Sequence, residues 1–241
     1  MRVFAKTDKG KVRSINQDAF YINTLTDGAV LAVVCDGMGG ASAGDIASKT
    51  AVEIISQYVL NAYNPSMSSD DITRLLDNAI ASANLEVFTL SQKDEQLNGM
   101  GTTAVVAVVR EAQAIICNVG DSRAYLVNHQ LVQLTRDHSV VQSLVESGKL
   151  SPEEARVHPE KNVITRALGV EENVLTDSYI IDIGENDKLL LCTDGLSNYA
   201  DADSILHIVN NNVFDKVTDL LIKEANLGGG RDNITAAVIS H

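Results

Sequence analysis

Val30-Leu31-Ala32-Val33-Val34-Cys35-Asp36-Gly37-Met38-Gly39-Gly40 holds the pattern that decides the fold. Six apolar residues, rich in β-branched Val, run without interruption and then stop at Asp-Gly, which reads as a buried strand ended by a turn former. Working outward, residues 103–109, 114–119, 188–192 and 234–239 repeat the form, each bounded by Gly, Asp or Asn. Residues 124–127 and 131–134 flank Asn128-His129-Gln130 and predict a hairpin. After the first strands, Ala47, Ala51, Ile54, Ile55, Tyr58, Val59 and Ala62 recur at helical spacing, as do Ile72, Leu75, Leu76, Ala79, Ala83 and Val87. Ser151-Pro152-Glu153-Glu154 is a helix start with a capping box, and a last helix over 215–227 ends at Gly228-Gly229-Gly230. Hairpins outnumber βαβ units. The expectation is an α+β protein whose antiparallel sheets carry helices on their faces, not a doubly wound parallel sheet.

The 241 residues include 32 acidic and 19 basic side chains, for a net charge of −13, and 45% are hydrophobic. That is a globular composition with enough chain for one substantial core. No Gly/Ser linker, repeat or low-complexity tract divides it, so residues 1–241 are expected to form a single domain. A negative surface repels nucleic-acid phosphates and anionic lipid, which sets both aside as partners. No stretch approaches the about 20 apolar residues of a membrane span, and the start, MRVFAKTDKGKVR, has no apolar signal core. Cys35, Cys117 and Cys192 lie singly in apolar runs, as buried thiols of a reducing compartment would. A cytoplasmic monomer is expected.

The placement of five aspartates carries the chemistry. Asp36 ends the first strand, Asp194 ends 189–193, Asp121 follows 115–120, Asp232 immediately precedes 234–239, and Asp18 sits just before Ala19-Phe20-Tyr21. A carboxylate buried alone at a strand end is costly, but several such ends converging on a cation are not. Hard divalent ions such as Mg²⁺ and Mn²⁺ take carboxylate, carbonyl and water oxygens. Asp36-Gly37 and Asp194-Gly195 add glycines that let a backbone carbonyl approach. The competing reading is that Asp-Gly pairs are merely turn formers. His129, His138, His158, His207 and His241 show no paired spacing, which argues against zinc. Spacing alone thus gives a carboxylate metal site of unknown purpose.

Eight segments, in order, carry a family likeness. They are Thr7-Asp8-Lys9-Gly10, Arg13-Ser14-Ile15-Asn16-Gln17-Asp18, Asp36-Gly37-Met38-Gly39-Gly40, Gly99-Met100-Gly101-Thr102-Thr103, Val119-Gly120-Asp121-Ser122-Arg123, Asp137-His138-Ser139, Cys192-Thr193-Asp194-Gly195-Leu196 and Arg231-Asp232-Asn233-Ile234-Thr235. Together they resemble the type 2C metal-dependent Ser/Thr protein phosphatases in their compact bacterial form. The resemblance implies a four-layer α-β-β-α sandwich with metals in a cleft at one edge. It implies two Mn²⁺ or Mg²⁺ ions, with a weaker third. Asp36 would bridge two metals, the Gly37 carbonyl would bind one, and Asp194 and Asp232 would hold the other. Asp121 would serve the third metal together with Asp194. Asp18 would orient water from behind the metals, with Gln17 nearby, and Arg13 would grip the substrate phosphate. Residues 144–168 would form a mobile flap. The substrates would be phosphorylated proteins, with a bacterial Ser/Thr kinase as the enzyme opposed.

The chain departs from that family at the leaving group. Many eukaryotic members have His directly after the first Asp-Gly, where this chain has Met38. Many bacterial members have His after DGMGG, where this chain has Ala41. Neither usual proton donor is present, so the expectation is slow turnover of phosphoserine peptides with less loss on aryl phosphates. The alternative is a weakened enzyme or a pseudophosphatase that serves as a binding module.

Overall fold

The protein is described here by a computed structural model covering residues 1–40 and 43–240. Two sheets form its centre. One runs in the order β1 (Arg2–Asp8), β11 (Ile234–Ser240), β10 (Lys188–Cys192), β7 (Arg123–Val127), β8 (Leu131–Gln133). The other runs β2 (Asp18–Thr24), β3 (Val30–Met38), β5 (Ala104–Arg110), β6 (Gln113–Val119), β9 (Asp177–Asp182), and the short β4 (Gly101–Thr102) pairs with the end of β3. Every pairing between these strands is antiparallel.

The unbroken apolar run of β3 follows from burial on both faces. Leu31, Val33 and Cys35 face α1 (Ala43–Ala62) and α2 (Ser69–Lys93), packing with Ala47, Ile55, Ile72, Leu76 and Ile80. Val30, Ala32 and Val34 point the other way, into an inter-sheet layer with Val105, Ala107, Leu189, Leu191 and Ile239. Strand alternation divides one sequence between two cores. The outer face of the first sheet is covered by α5 (Asp194–Ser197), α6 (Ala202–Asn211) and α7 (Val217–Leu227) through Leu190, Val238, Val209, Val217 and Leu221. The result is the expected four-layer arrangement, helices outside and sheets inside.

Local signals explain most boundaries. The Ser151 hydroxyl accepts from the Glu154 amide and Glu154 reaches back to Ser151, which opens α4 (Pro152–Val157). Ser68 and Asp71 make the same reciprocal pair at α2. The expected helix over 215–227 is shorter, because Phe214–Lys216 is a 3₁₀ turn and α7 begins at Val217. Cys35, Cys117 and Cys192 are buried free thiols. Among the described residues no helix is long and apolar enough to cross a membrane.

Candidate active site

The two sheets meet at one end in a cleft of about 270 Å³ lined by Arg13, Asp36, Gly37, Asp121, Asp194 and Asp232, among others. Its residues come from separate elements. Asp36 ends β3, Asp121 follows β6, Asp194 opens α5 after β10, and Asp232 precedes β11. Asp18 does not line the cleft. It starts β2 directly opposite Asp36 in the β2–β3 register and is 4% exposed. Strand order and register therefore gather what the sequence scatters over more than two hundred positions.

Both glycines of the Asp-Gly pairs are required by close backbone approach. A methyl group at Gly37 would lie 2.0 Å from the Gly44 carbonyl oxygen, and one at Gly195 would lie 1.8 Å from that of Asn233. The second contact sets α5 against the segment that carries Asp232.

The carboxylates are held by named donors. Asp18 Oδ2 accepts from Thr193 Oγ1 at 2.9 Å and from Thr235 Oγ1 at 2.6 Å. The Asp36 amide donates to Thr103 Oγ1 at 2.9 Å, and Thr102 Oγ1 donates to the Asp36 carbonyl at 2.8 Å. Asn198 Nδ2 donates to Asp194 Oδ2 at 2.9 Å. Asn233 is the hub of the Arg13 loop: its Oδ1 accepts from the Gln17 amide, and its Nδ2 donates to the Lys9 and Ile15 carbonyls. Arg13 Nη2 donates to Asp232 Oδ2 at 2.9 Å.

These acids crowd one another. Burial, then the neighbouring carboxylates, pushes Asp36 well above the usual carboxylate range, and burial is also the main cause of the upward shifts at Asp18, Asp121 and Asp194. By exposed area Asp36 and Asp121 are only half-buried. The cleft is nevertheless narrow enough that their charges are poorly hydrated. Asp194 is among the neighbouring charges that raise Asp36, and burial comes first at both.

The donor set fits hard divalent cations. It is rich in carboxylate oxygen, has Gly37 in its wall, and has a surplus of negative charge faced by the Arg13 guanidinium. Asp18 Oδ1 is buried behind the cleft wall without a hydrogen-bond partner, so it keeps a free acceptor. Among the described residues no three carboxylate, imidazole or thiolate groups close around a single point. Asp232 is paired with Arg13 instead.

Met38 lines the cleft, and the described lining contains no histidine. Ala41 lies outside the described residues. Asn162 and Ile164, from the segment expected to form a flap, reach the cleft wall. Sequence reasoning gave no role to Asn162, Ile164, Thr193, Thr235 or Asn233. The last three stand inside motifs already quoted, which was the available signal, whereas Asn162 and Ile164 have none.

A carboxylate-lined cleft thus lies at the end of two facing antiparallel sheets, with helices outside. Residues 9–226 match the family described as protein phosphatase 2C. Over 236 residues the chain is 39% identical to the serine/threonine phosphatase stp of Listeria monocytogenes serotype 4b (strain F2365), covering 97% of this chain and 93% of that protein. The structure of serine/threonine phosphatase Stp1 from Staphylococcus aureus matches with a TM-score of 0.93 at 35% identity, over 99% of this chain and 94% of that one. The catalytic domain of the serine threonine protein phosphatase PstP, solved in complex with two manganese ions, matches with a TM-score of 0.87 at 31% identity, over 98% and 96%. The chain belongs to the protein phosphatase 2C family and is a serine/threonine protein phosphatase. Its relatives favour a working catalyst over a binding module that keeps only the fold.

Proposed function

We propose that this enzyme removes phosphate from phosphoserine and phosphothreonine in other proteins by direct attack of water, using the aspartates of the cleft between its sheets. The observation that carries the reading is the meeting of Asp36, Asp121, Asp194 and Asp232, from four chain segments, around one space beside Arg13. Asp36 and the Gly37 carbonyl would hold one divalent cation, Asp194 and Asp232 would help to hold a second, and Asp121 with Asp194 would hold a weaker third. Mn²⁺ or Mg²⁺ held there would supply the positive charge that acidifies water and offsets the charge of the phosphate oxygens.

The chain's own groups do the rest. Asp18 Oδ1 accepts a hydrogen bond from the attacking water while Thr193 and Thr235 fix the carboxylate through Oδ2. Arg13 turns from Asp232 to the phosphate, where a planar guanidinium fork matches two oxygens. Attack is in line, the P–O bond to the side chain breaks, and the leaving alkoxide takes its proton from water.

We further propose that the enzyme works as a single catalytic domain and a monomer, opposing a Ser/Thr kinase. Its buried thiols suit the cytoplasm. The test is phosphate release from a phosphothreonine peptide with Mn²⁺ and then with excess EDTA. Release that needs Mn²⁺ is expected. No release while calorimetry still detects Mn²⁺ binding would overturn the reading.

A further inference from the structure

A second concavity of about 340 Å³ adjoins the catalytic cleft, lined by Met38, Ile164, Ala167, Val170, Val174 and Leu175. We propose that it is a substrate subsite, taking an apolar side chain about two positions from the phosphorylated residue on an extended substrate segment. The inference rests on the phosphatase reading above and adds to it a preference in the substrate sequence.

The two spaces share walls, because Met38 and Ile164 line both. The floor is built by a missing side chain. A methyl group at Gly101 would lie 2.7 Å from Met38 Cε and 3.1 Å from Val170 Cγ2, so these side chains fill the room that glycine leaves. Met38 joins the cleft to the groove with a flexible thioether suited to varied apolar partners. At the rim Val170 is 51% and Leu175 76% exposed. Scattered apolar side chains in water need no explanation, but a cluster around a concavity beside a catalytic cleft does.

The lining also holds Thr165, Arg166, Glu171 and Asn173, and its two charged groups do not favour a charged ligand. Arg166 Nη1 donates to Asp177 Oδ1 at 2.7 Å and to the Leu175 carbonyl at 3.0 Å, so its charge is paired with that carboxylate. Glu171, exposed at the edge, repels an acidic side chain. In an extended peptide, side chains two residues apart project to the same side about 7 Å apart. Two spaces that share Met38 and Ile164 as lining are neighbours that one extended segment can span. The occupant is therefore the substrate protein itself, seated with its phosphorylated residue in the cleft.

The test compares kcat/KM with Mn²⁺ for phosphothreonine peptides carrying Leu, Ala, Glu or Lys two positions before or after the phosphorylated residue. Leu is expected about tenfold above Ala on one side, a discrimination normal for an apolar pocket. The difference should lie in KM with kcat unchanged, since the groove holds substrate and transition state alike. Val170→Asp should bring the Leu/Ala ratio towards one and raise the Lys peptide above the Leu peptide, and Leu175→Ser should lower the ratio without favouring Lys. Equal kcat/KM for all peptides would overturn the subsite alone. Equal values together with concentration-dependent sedimentation that Val170→Asp abolishes would assign the groove to a second copy of the chain instead. Hydrolysis of no peptide would overturn the phosphatase reading and the subsite with it.

Discussion

Replacing Arg13 by Ala separates what this side chain does for stability from what it does for the reaction. Its ion pair with Asp232 is a single hydrogen bond of 2.9 Å, with Arg13 half exposed and Asp232 about one-fifth exposed. Such pairs contribute about 0–1 kcal/mol, and 1 kcal/mol shifts the melting temperature of a chain this size by about 2–4 °C. Arg13→Ala should therefore melt within about 3 °C of the parent. A guanidinium hydrogen-bonded to a phosphate contributes about 1.5–3 kcal/mol. If that contact forms in the transition state, its loss should lower kcat/KM about 10- to 150-fold. Arg13→Lys keeps the charge but not the fork and should fall between. The assay is phosphate release from a phosphothreonine peptide with saturating Mn²⁺, beside thermal melting and a calorimetric Mn²⁺ titration. Mn²⁺ should bind no more weakly to Arg13→Ala, because Asp232 is freed. A variant within threefold of the parent kcat/KM, with unchanged melting, would refute the role given to Arg13.

Three further outcomes are expected. With Met38 and Ala41 where relatives carry His, the ratio of peptide to aryl phosphate turnover should be depressed by the absent proton donor, a contribution of about 10²–10⁴-fold where present. Ala41→His should raise peptide turnover more than aryl phosphate turnover, and an equal change in both would sink the idea. In EDTA, the raised pKa values of Asp18, Asp36, Asp121 and Asp194 mean that the folded state keeps protons which the unfolded chain releases. Their contribution is present below the ordinary carboxylate value of about 3.9 and lost as pH rises through the raised values. Melting temperature in EDTA should thus fall from about pH 5 to about pH 8, and excess Mn²⁺ should flatten or reverse the slope; a flat profile in EDTA would contradict the crowding described. Gly195→Ala, which drives a methyl to 1.8 Å from the Asn233 carbonyl, should cost about 1–3 kcal/mol or more by denaturant midpoint, and a neutral result would show that α5 can shift freely.

The sequence revealed the strands buried on both faces most clearly, because β3, β5, β6, β10 and β11 read as continuous apolar runs. Edge strands were harder to see. β1 and β9 largely alternate half-buried with exposed residues, so short segments such as Asp177–Asp182 carry no unbroken apolar signal. β2 was noticed only through Asp18. α6 was missed although Asp201 accepts from the Ser204 amide at its start, a cap visible in the letters but short of a long apolar stripe. The aspartates at strand ends announced an oxygen-rich site, and motif order supplied its expected purpose. The second layer stayed hidden for a physical reason. Thr193 and Thr235 matter because register brings their hydroxyls onto Asp18, and Asn162 and Ile164 because a distant segment folds back on the cleft. Contacts of that kind leave no period or spacing in the chain.

The position of β11 has a consequence for the order in which the molecule can be made. β11 lies between β1 and β10, and in its pairing with β1 Arg2 stands opposite Ser240. The first strand off the ribosome therefore has no neighbour in its sheet until almost every later residue has emerged. At about 5–20 residues per second, that wait is on the order of ten seconds or more. Asp232, which the Arg13 loop needs, arrives in the same last moments. A nascent chain can assemble β3, β5, β6 and their covering helices early, but its cleft is without Asp232, and β1 without its sheet neighbour, until the segment leading into and through β11 has emerged.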